Sequence, residues 1–102
     1  MRLITRKRLA EYGKAYADAR GPLGEWAALV TAGRWQSLDD TRRVFPHADE
    51  VRVASGRTVA VFNVKGNSYR LVTAIHYDKQ RVYVMRFLTH AQYNKNAWKG
   101  RL

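Results

Sequence analysis

Residues 57–93 read RTVAVFNVKGNSYRLVTAIHYDKQRVYVMRFLTHAQY, and the fold turns on how this stretch divides. Three alternating apolar segments stand out: Arg57–Val64, Ser68–Tyr77 and Arg81–Thr89. A two-residue period is the mark of a strand with one buried face. Lys65-Gly66-Asn67 and Asp78-Lys79-Gln80 supply turn residues at the two joints, so the stretch predicts an antiparallel meander. A tight turn at Lys79-Gln80 would set Asp78 against Arg81 and Arg70 against Thr89. A three-residue turn at Lys65–Asn67 would set Phe62 against Arg70 as well. One face then carries Phe62, Arg70, Val72, Met85, Phe87 and Thr89. The other carries Val61, Leu71, Ile75, Val82, Val84 and Leu88. The aliphatic face is expected to take the helices and the mixed face to stay open, and a one-residue slip in either turn would reverse part of this.

Upstream, the period changes. Arg2-Leu3-Ile4-Thr5 suits a short first strand. Thr5 is placed to cap a helix to about Arg20, with Leu9, Tyr12, Tyr16 and Ala19 on one stripe. Gly21 is expected to end it and Pro22 to open a second helix. That helix runs to about Ala32, with Leu23, Trp26, Ala27 and Val30 inward and Gly33 closing it. Ser37-Leu38-Asp39-Asp40 reads as a cap and a short helix that ends at Phe45-Pro46. A short strand is expected at Glu50–Ala54, turned by Ser55-Gly56. Downstream, His90–Ala97 suits a short helix, followed by a basic tail. The order gives an α+β fold. Two N-terminal helices pack on one face of an antiparallel sheet of four to five short strands, with a short C-terminal helix. At 102 residues, without repeats, residues 1–102 are expected to form one domain.

The formal charge is +11 and it is unevenly placed. Residues 1–50 hold nine Lys/Arg against seven Asp/Glu, a balance of +2, whereas residues 51–102 hold ten against one, a balance of +9. The positive field belongs to the sheet half, which favours a polyanionic partner, nucleic acid first. The absence of cysteine excludes a disulfide framework, a thiolate metal site and a cysteine nucleophile. It fits the cytoplasm, as does an N-terminus without an apolar run.

No cofactor is expected and no metal-ligand spacing is present. His47, His76 and His90 are scattered, and no phosphate-binding glycine loop or nucleophile elbow occurs. What remains is a cationic cluster with Tyr and His. RNA cleavage can run on such a set. The ribose 2′-OH loses a proton and attacks phosphorus, the phosphorane needs positive charge, and the leaving 5′-oxygen needs a proton. Candidate catalytic residues are Lys65, Arg70, His90 and Tyr93. Arg70 can fork onto two phosphate oxygens. Lys65 supplies a point charge or a base. His90 carries the side-chain type that titrates nearest neutrality. Tyr93, one helical turn on, can stack a base or donate a proton. Asn63, Asn67, Thr89 and Lys95 are candidates for RNA binding. Each also has a plainer reading: an exposed strand arginine, a turn, a helix cap, an edge aromatic. Convergence favours function, because the start of one strand and the end of its antiparallel neighbour lie side by side.

An ordered series of residues carries a family resemblance. It comprises Leu3-Ile4-Thr5, Val44-Phe45-Pro46, Phe62-Asn63-Val64 with Gly66-Asn67, Tyr69-Arg70-Leu71-Val72, and Thr89-His90 with Tyr93. In this series the chain resembles the HigB-type toxins of bacterial type II toxin–antitoxin systems, within the RelE-like superfamily. The resemblance implies a RelE-like fold and a metal-free mRNA endoribonuclease, often acting on translating ribosomes. It also implies a cognate helix-turn-helix antitoxin of the HigA-like kind. Arg70 falls in the matching Tyr-Arg-Leu-Val stretch. His90 stands where many RelE-like chains have Arg. The rival readings are an RNA- or ribosome-binding module that blocks translation by occupancy, and a structural subunit whose basic surface receives an acidic partner.

Overall fold

The alternating stretch forms the middle of a five-stranded sheet in the computed structural model, which describes residues 1–102. The strands are β1 (Arg2–Ile4), β2 (Asp49–Arg52), β3 (Thr58–Val64), β4 (Tyr69–His76) and β5 (Arg81–Thr89). Their order across the sheet is β1-β5-β4-β3-β2. All neighbours are antiparallel except β1, which runs parallel to β5. The helices are α1 (Arg6–Ala15), α2 (Arg20–Ala32), α3 (Leu38–Val44) and α4 (His90–Asn94). Short 3₁₀ turns lie at Ala17–Ala19 and Ala97–Arg101. The α+β class and the short C-terminal helix are as expected.

Two loops set the register, and both hold four residues. Val64 pairs with Tyr69, so residues 65–68 form the first loop, with Lys65 at φ +52° and Gly66 at φ +61°. His76 pairs with Arg81, which leaves 77–80 as the second, with Gln80 at φ +54°. The first loop is one residue longer than the three-residue turn expected from sequence, so Phe62 faces Leu71 and Arg70 faces Asn63. The β4–β5 ladder then slips at Val72/Thr73: Thr73 pairs with Val84 but Val72 with Arg86, leaving Met85 as the extra residue of a β-bulge. Beyond it, Arg70 faces Leu88 and Tyr69 faces Thr89.

These shifts correct part of the expected face assignment. Leu71, Ile75, Val82 and Val84 do face the helices. Phe62 and Phe87 join them, while Val61 and Leu88 go to the opposite face. The helix-side core is aromatic: Trp26 meets Phe62 edge-on at 5.4 Å, and Phe87 stacks on Tyr69 at 4.9 Å. The other face is not fully open. Trp98, in the 3₁₀ turn after α4, is buried against Val53, Val59, Val61 and Val72. The Lys99 carbonyl accepts from Ala54 N at 3.0 Å and ties the tail down.

The helix boundaries also differ from expectation. The first helix ends at Ala15, not at about Arg20. Tyr16 leaves the helical region (φ −128°, ψ 86°) and its ring packs edge-on against Tyr69 and Phe87. The return crossing passes close to Gly13, where a Cβ would meet Arg20 Cγ at 3.4 Å, an ordinary contact. Gly21 and Pro22 then sit in the first turn of α2, where proline's missing N–H is harmless. Thr5 does not cap α1 through its side chain. It has φ +67°, and its hydroxyl accepts from Val84 N at 2.9 Å, meeting the next β5 amide after β1 ends. Ser37 does cap α3, accepting from Asp40 N. No helix is long and apolar enough to cross a membrane.

Candidate active site

The strand ends at the β3–β4 loop, the start of β4 and the end of β5 meet, as antiparallel pairing requires. The backbone seals this corner: His90 N donates to Ser68 O at 3.0 Å. Thr89 caps α4 in a full capping box. Its hydroxyl accepts from Gln92 N, and Gln92 Oε1 accepts from Thr89 N. Thr89 thus has a structural task that fixes where His90 and Tyr93 stand.

Arg70 is the best-held cation of the corner. Its Nη1 donates to the carbonyls of Asn67 (3.2 Å) and Tyr69 (3.1 Å), and its Nη2 donates to the Asn67 side-chain carbonyl. The guanidinium carbon lies 5.5 Å from the centroid of the Tyr93 ring. Tyr93 in turn stacks on Trp98 at 5.3 Å, and Trp98 Nε1 donates to Tyr93 O. Loop, strand, helix and tail are therefore locked through one column: Asn67, Arg70, Tyr93, Trp98. Burial pushes the Tyr93 hydroxyl above its ordinary value. Asp49 pushes the same way, and Arg70 opposes it.

His90 is exposed at the first residue of α4. Its Nδ1 lies 3.5 Å from Asn94 Nδ2, and Nε2 makes no hydrogen bond. Asn63 is exposed and is the cross-strand partner of Arg70. Lys95 is exposed beyond α4 and lines a hollow of about 300 Å³ with Arg86, Leu88, Gln92 and Trp98. Arg70, Asn67, His90 and Tyr93 thus belong to one corner, with Asn63 and Lys95 on its two sides.

Lys65 is different. Its Nζ donates to Asp18 Oδ2 at 2.8 Å, while Tyr69 OH donates to Asp18 Oδ1 at 2.7 Å. Asp18 reaches in from the 3₁₀ turn between α1 and α2, so Lys65 is drawn toward the helix side of the loop, away from the Tyr93 ring. Hydrogen bonds from Lys65 and Tyr69 hold the Asp18 carboxyl below its ordinary range, and the bond to Asp18 raises the Tyr69 hydroxyl. No three carboxylate, thiolate or imidazole groups gather in a way that could hold a metal ion.

Sequence pattern alone did not single out Asp18, Arg86, Gln92, Trp98 or Arg101. Gln92 carried a signal: it is three residues past Thr89, the spacing of a capping box. The others depend on contacts between distant segments.

The family model described as HigB toxin, RelE-like toxic component of a toxin–antitoxin system, matches residues 19–96. A curated relative, the mRNA interferase toxin HigB of Escherichia coli (strain K12), is 28% identical over 94 residues. These cover 92% of this chain and 88% of the relative. The proteins called mRNA interferase HigB from Escherichia coli O157:H7 and Shigella flexneri match to the same extent.

Proposed function

The chain belongs to the HigB family, the RelE-like toxic components of toxin–antitoxin systems, and from that premise we propose that it is an mRNA endoribonuclease that halts translation. It cleaves without a metal, on mRNA held by the ribosome. Its neutralising partner is a helix-turn-helix antitoxin of the HigA-like kind. The names of the three relatives support the substrate class. The observation that carries the reading is the Arg70–Tyr93 pair: a guanidinium fixed by two carbonyls, set over a phenol that stays protonated because burial raises its pKa.

In this mechanism the 2′-OH attacks the adjacent phosphorus and a pentacoordinate phosphorane forms. Charge on its equatorial oxygens grows in the transition state, and the free N–H edge of Arg70 is the donor best placed for it. Tyr93 acts as a proton donor toward the leaving 5′-oxygen or as a platform for the flanking base. His90 exchanges the other proton. Lys65 contributes positive charge from the loop, shared with Asp18, and Asn63, Asn67 and Lys95 hold the RNA.

Primer extension on mRNA after induced expression tests the activity. Purified product should carry 2′,3′-cyclic phosphate and 5′-hydroxyl ends and should form at full rate in EDTA when the assay itself needs no magnesium. Products with 3′-hydroxyl and 5′-phosphate ends would rule the chemistry out. Translation arrest with intact mRNA would favour inhibition by occupancy.

A further inference from the structure

We propose that a basic track along β5 leads an unpaired RNA strand away from the Arg70 corner into a second, base-stacking subsite at His76 and Tyr83. The proposal rests on the RNA reading above and adds a site to it.

Two hollows adjoin along β5. The first, of about 300 Å³, begins at Leu88, which is the cross-strand partner of Arg70. Its cations are Arg86, Lys95 and Arg101, and none of the residues lining it is acidic. The second, of about 340 Å³, continues from Met85 to Tyr83. Its cations are Arg8 and Arg57, and it too has no carboxylate in its lining. The bulge joins them: Met85 lines one hollow and Arg86, next in the chain, lines the other. Five cations from five different segments, with no acid among them, line the two hollows beside β5, which is the charge pattern of a backbone track.

The far end has the parts that recognise a base. His76 is exposed and Tyr83 half-buried, and their rings lie 5.0 Å apart. Ala74, the cross-strand partner of Tyr83, offers only a methyl group, so the ring is not crowded by its neighbour. Arg57 is exposed and has no side-chain hydrogen bond or ion pair. Arg8 is anchored, its Nη1 donating to the Val84 and Met85 carbonyls at 3.1 and 3.2 Å, which fixes a positive charge beside the ring. An aromatic pair between two arginines suits an unpaired base and its flanking phosphates. From Leu88 to Tyr83 the strand covers ~17 Å at ~3.3 Å per residue, the length of about five stacked nucleotides at ~3.4 Å each. One strand of that length reaches both places, so cleavage would depend on sequence some nucleotides from the cut.

The test uses the whole protein and RNA oligonucleotides made uncleavable by a 2′-deoxy sugar at the scissile position. Affinity is read by fluorescence anisotropy for lengths of about three and about ten nucleotides, the latter within the range one small binding domain covers. Wild type should bind the longer RNA at least tenfold more tightly. His76→Ala and Tyr83→Ala should each remove about tenfold from the longer RNA only, and Tyr83→Phe should restore it, since the ring is what stacks. Arg57→Ala, at an exposed position, should weaken the longer RNA with little effect on folding. Unchanged affinity in folded His76→Ala and Arg57→Ala protein overturns the subsite while leaving cleavage at Arg70 standing. Loss of antitoxin neutralisation with RNA affinity intact assigns the surface to a protein partner and also overturns it. If wild type neither binds nor cleaves RNA, the enzymatic reading fails first and the subsite with it.

Discussion

The guanidinium of Arg70 and the ring of Tyr93 lie 5.5 Å apart, although one is the second residue of β4 and the other sits in the helix after β5. The ring gives Arg70 a fixed floor, and Asn67 holds it from the side. A cation so held needs little reorganisation when phosphorane charge develops, which is where electrostatic catalysis is strongest. Arg70→Ala should therefore reduce cleavage by about 10²–10³-fold, the scale of losing one such donor. Arg70→Lys should recover little, because the fork is gone. Single-turnover rates on a defined RNA check this, and full activity in Arg70→Ala would move the site elsewhere.

Tyr93 gives a pH signature. Its hydroxyl is raised above 10.0, chiefly by burial, so it remains protonated through the neutral and mildly alkaline range. A donor of this kind produces no fall in rate from its own ionisation below pH 10. Rate–pH profiles of wild type and Tyr93→Phe should run parallel from about pH 6 to 9, offset by the activity lost with the hydroxyl, up to about 10²–10⁴-fold. A wild-type alkaline fall that vanishes in Tyr93→Phe would show that the hydroxyl ionises inside this range and contradict the assignment.

The Asp18–Lys65–Tyr69 contact links stability to acid. Asp18 is held below 3.8 in the folded chain, first by its bond from Lys65 and then by that from Tyr69. A depressed carboxyl stabilises the fold above its unfolded value and loses that contribution as pH falls through the folded one. The Tm gap between wild type and Asp18→Asn should be constant above about pH 5 and shrink below about pH 4. It should also narrow with salt, because the pair is exposed. A gap that widens on acidification would contradict the assignment. Lys65→Ala should lower activity with only a small loss of stability, since the ion pair it gives up is exposed.

Two substitutions probe the helix–sheet core. Trp26 is 3% exposed and packs edge-on to Phe62. Trp26→Ala should cost roughly 3–5 kcal/mol in a denaturant titration. Gly33→Ala should cost about 1–3 kcal/mol, since the new Cβ would lie 2.7 Å from Trp35 Nε1 and Trp35 is itself buried. Neutral behaviour of either variant would mean that this side of the core is looser than its packing.

Much of this fold was readable in the order of residues, because period and punctuation are local. The meander, the Ser37 cap and the Thr89 cap all follow from residues within a few positions of one another. Register was harder. Lys65 and Gln80 adopt φ above +50° although neither is glycine or asparagine, so their loops are longer than turn chemistry suggests. The bulge at Met85 has no residue signature at all. Thr5 looked like a cap and instead serves β5, a contact 79 residues away in the chain. Around the candidate site, Arg70, His90 and Tyr93 were findable because strand-end geometry brings them together. Asp18 was not, since it meets Lys65 across 47 residues with no local pattern to mark it. Arg86 and Arg101 carry no local signal either, since only the bulge and the folded-back tail bring them to a shared hollow.

The extra residue at Met85 makes β5 two half-strands in opposite phase. Val82 and Val84 count inward from the loop on even numbers, whereas Phe87 counts inward on an odd one. The strand is thus a gear with one extra tooth, and its two ends cannot be mutated by a single rule. Deleting Met85 would not merely shorten the strand. It would restore one unbroken alternation, with Arg86 still outward opposite Val72 and Phe87 still inward opposite Leu71, and would remove the local bend of the bulge. Relatives that lack this residue would have to carry their apolar positions in the other parity downstream of it. An alignment drawn without a gap there would match inward side chains to outward ones and hide the equivalence of the two sites.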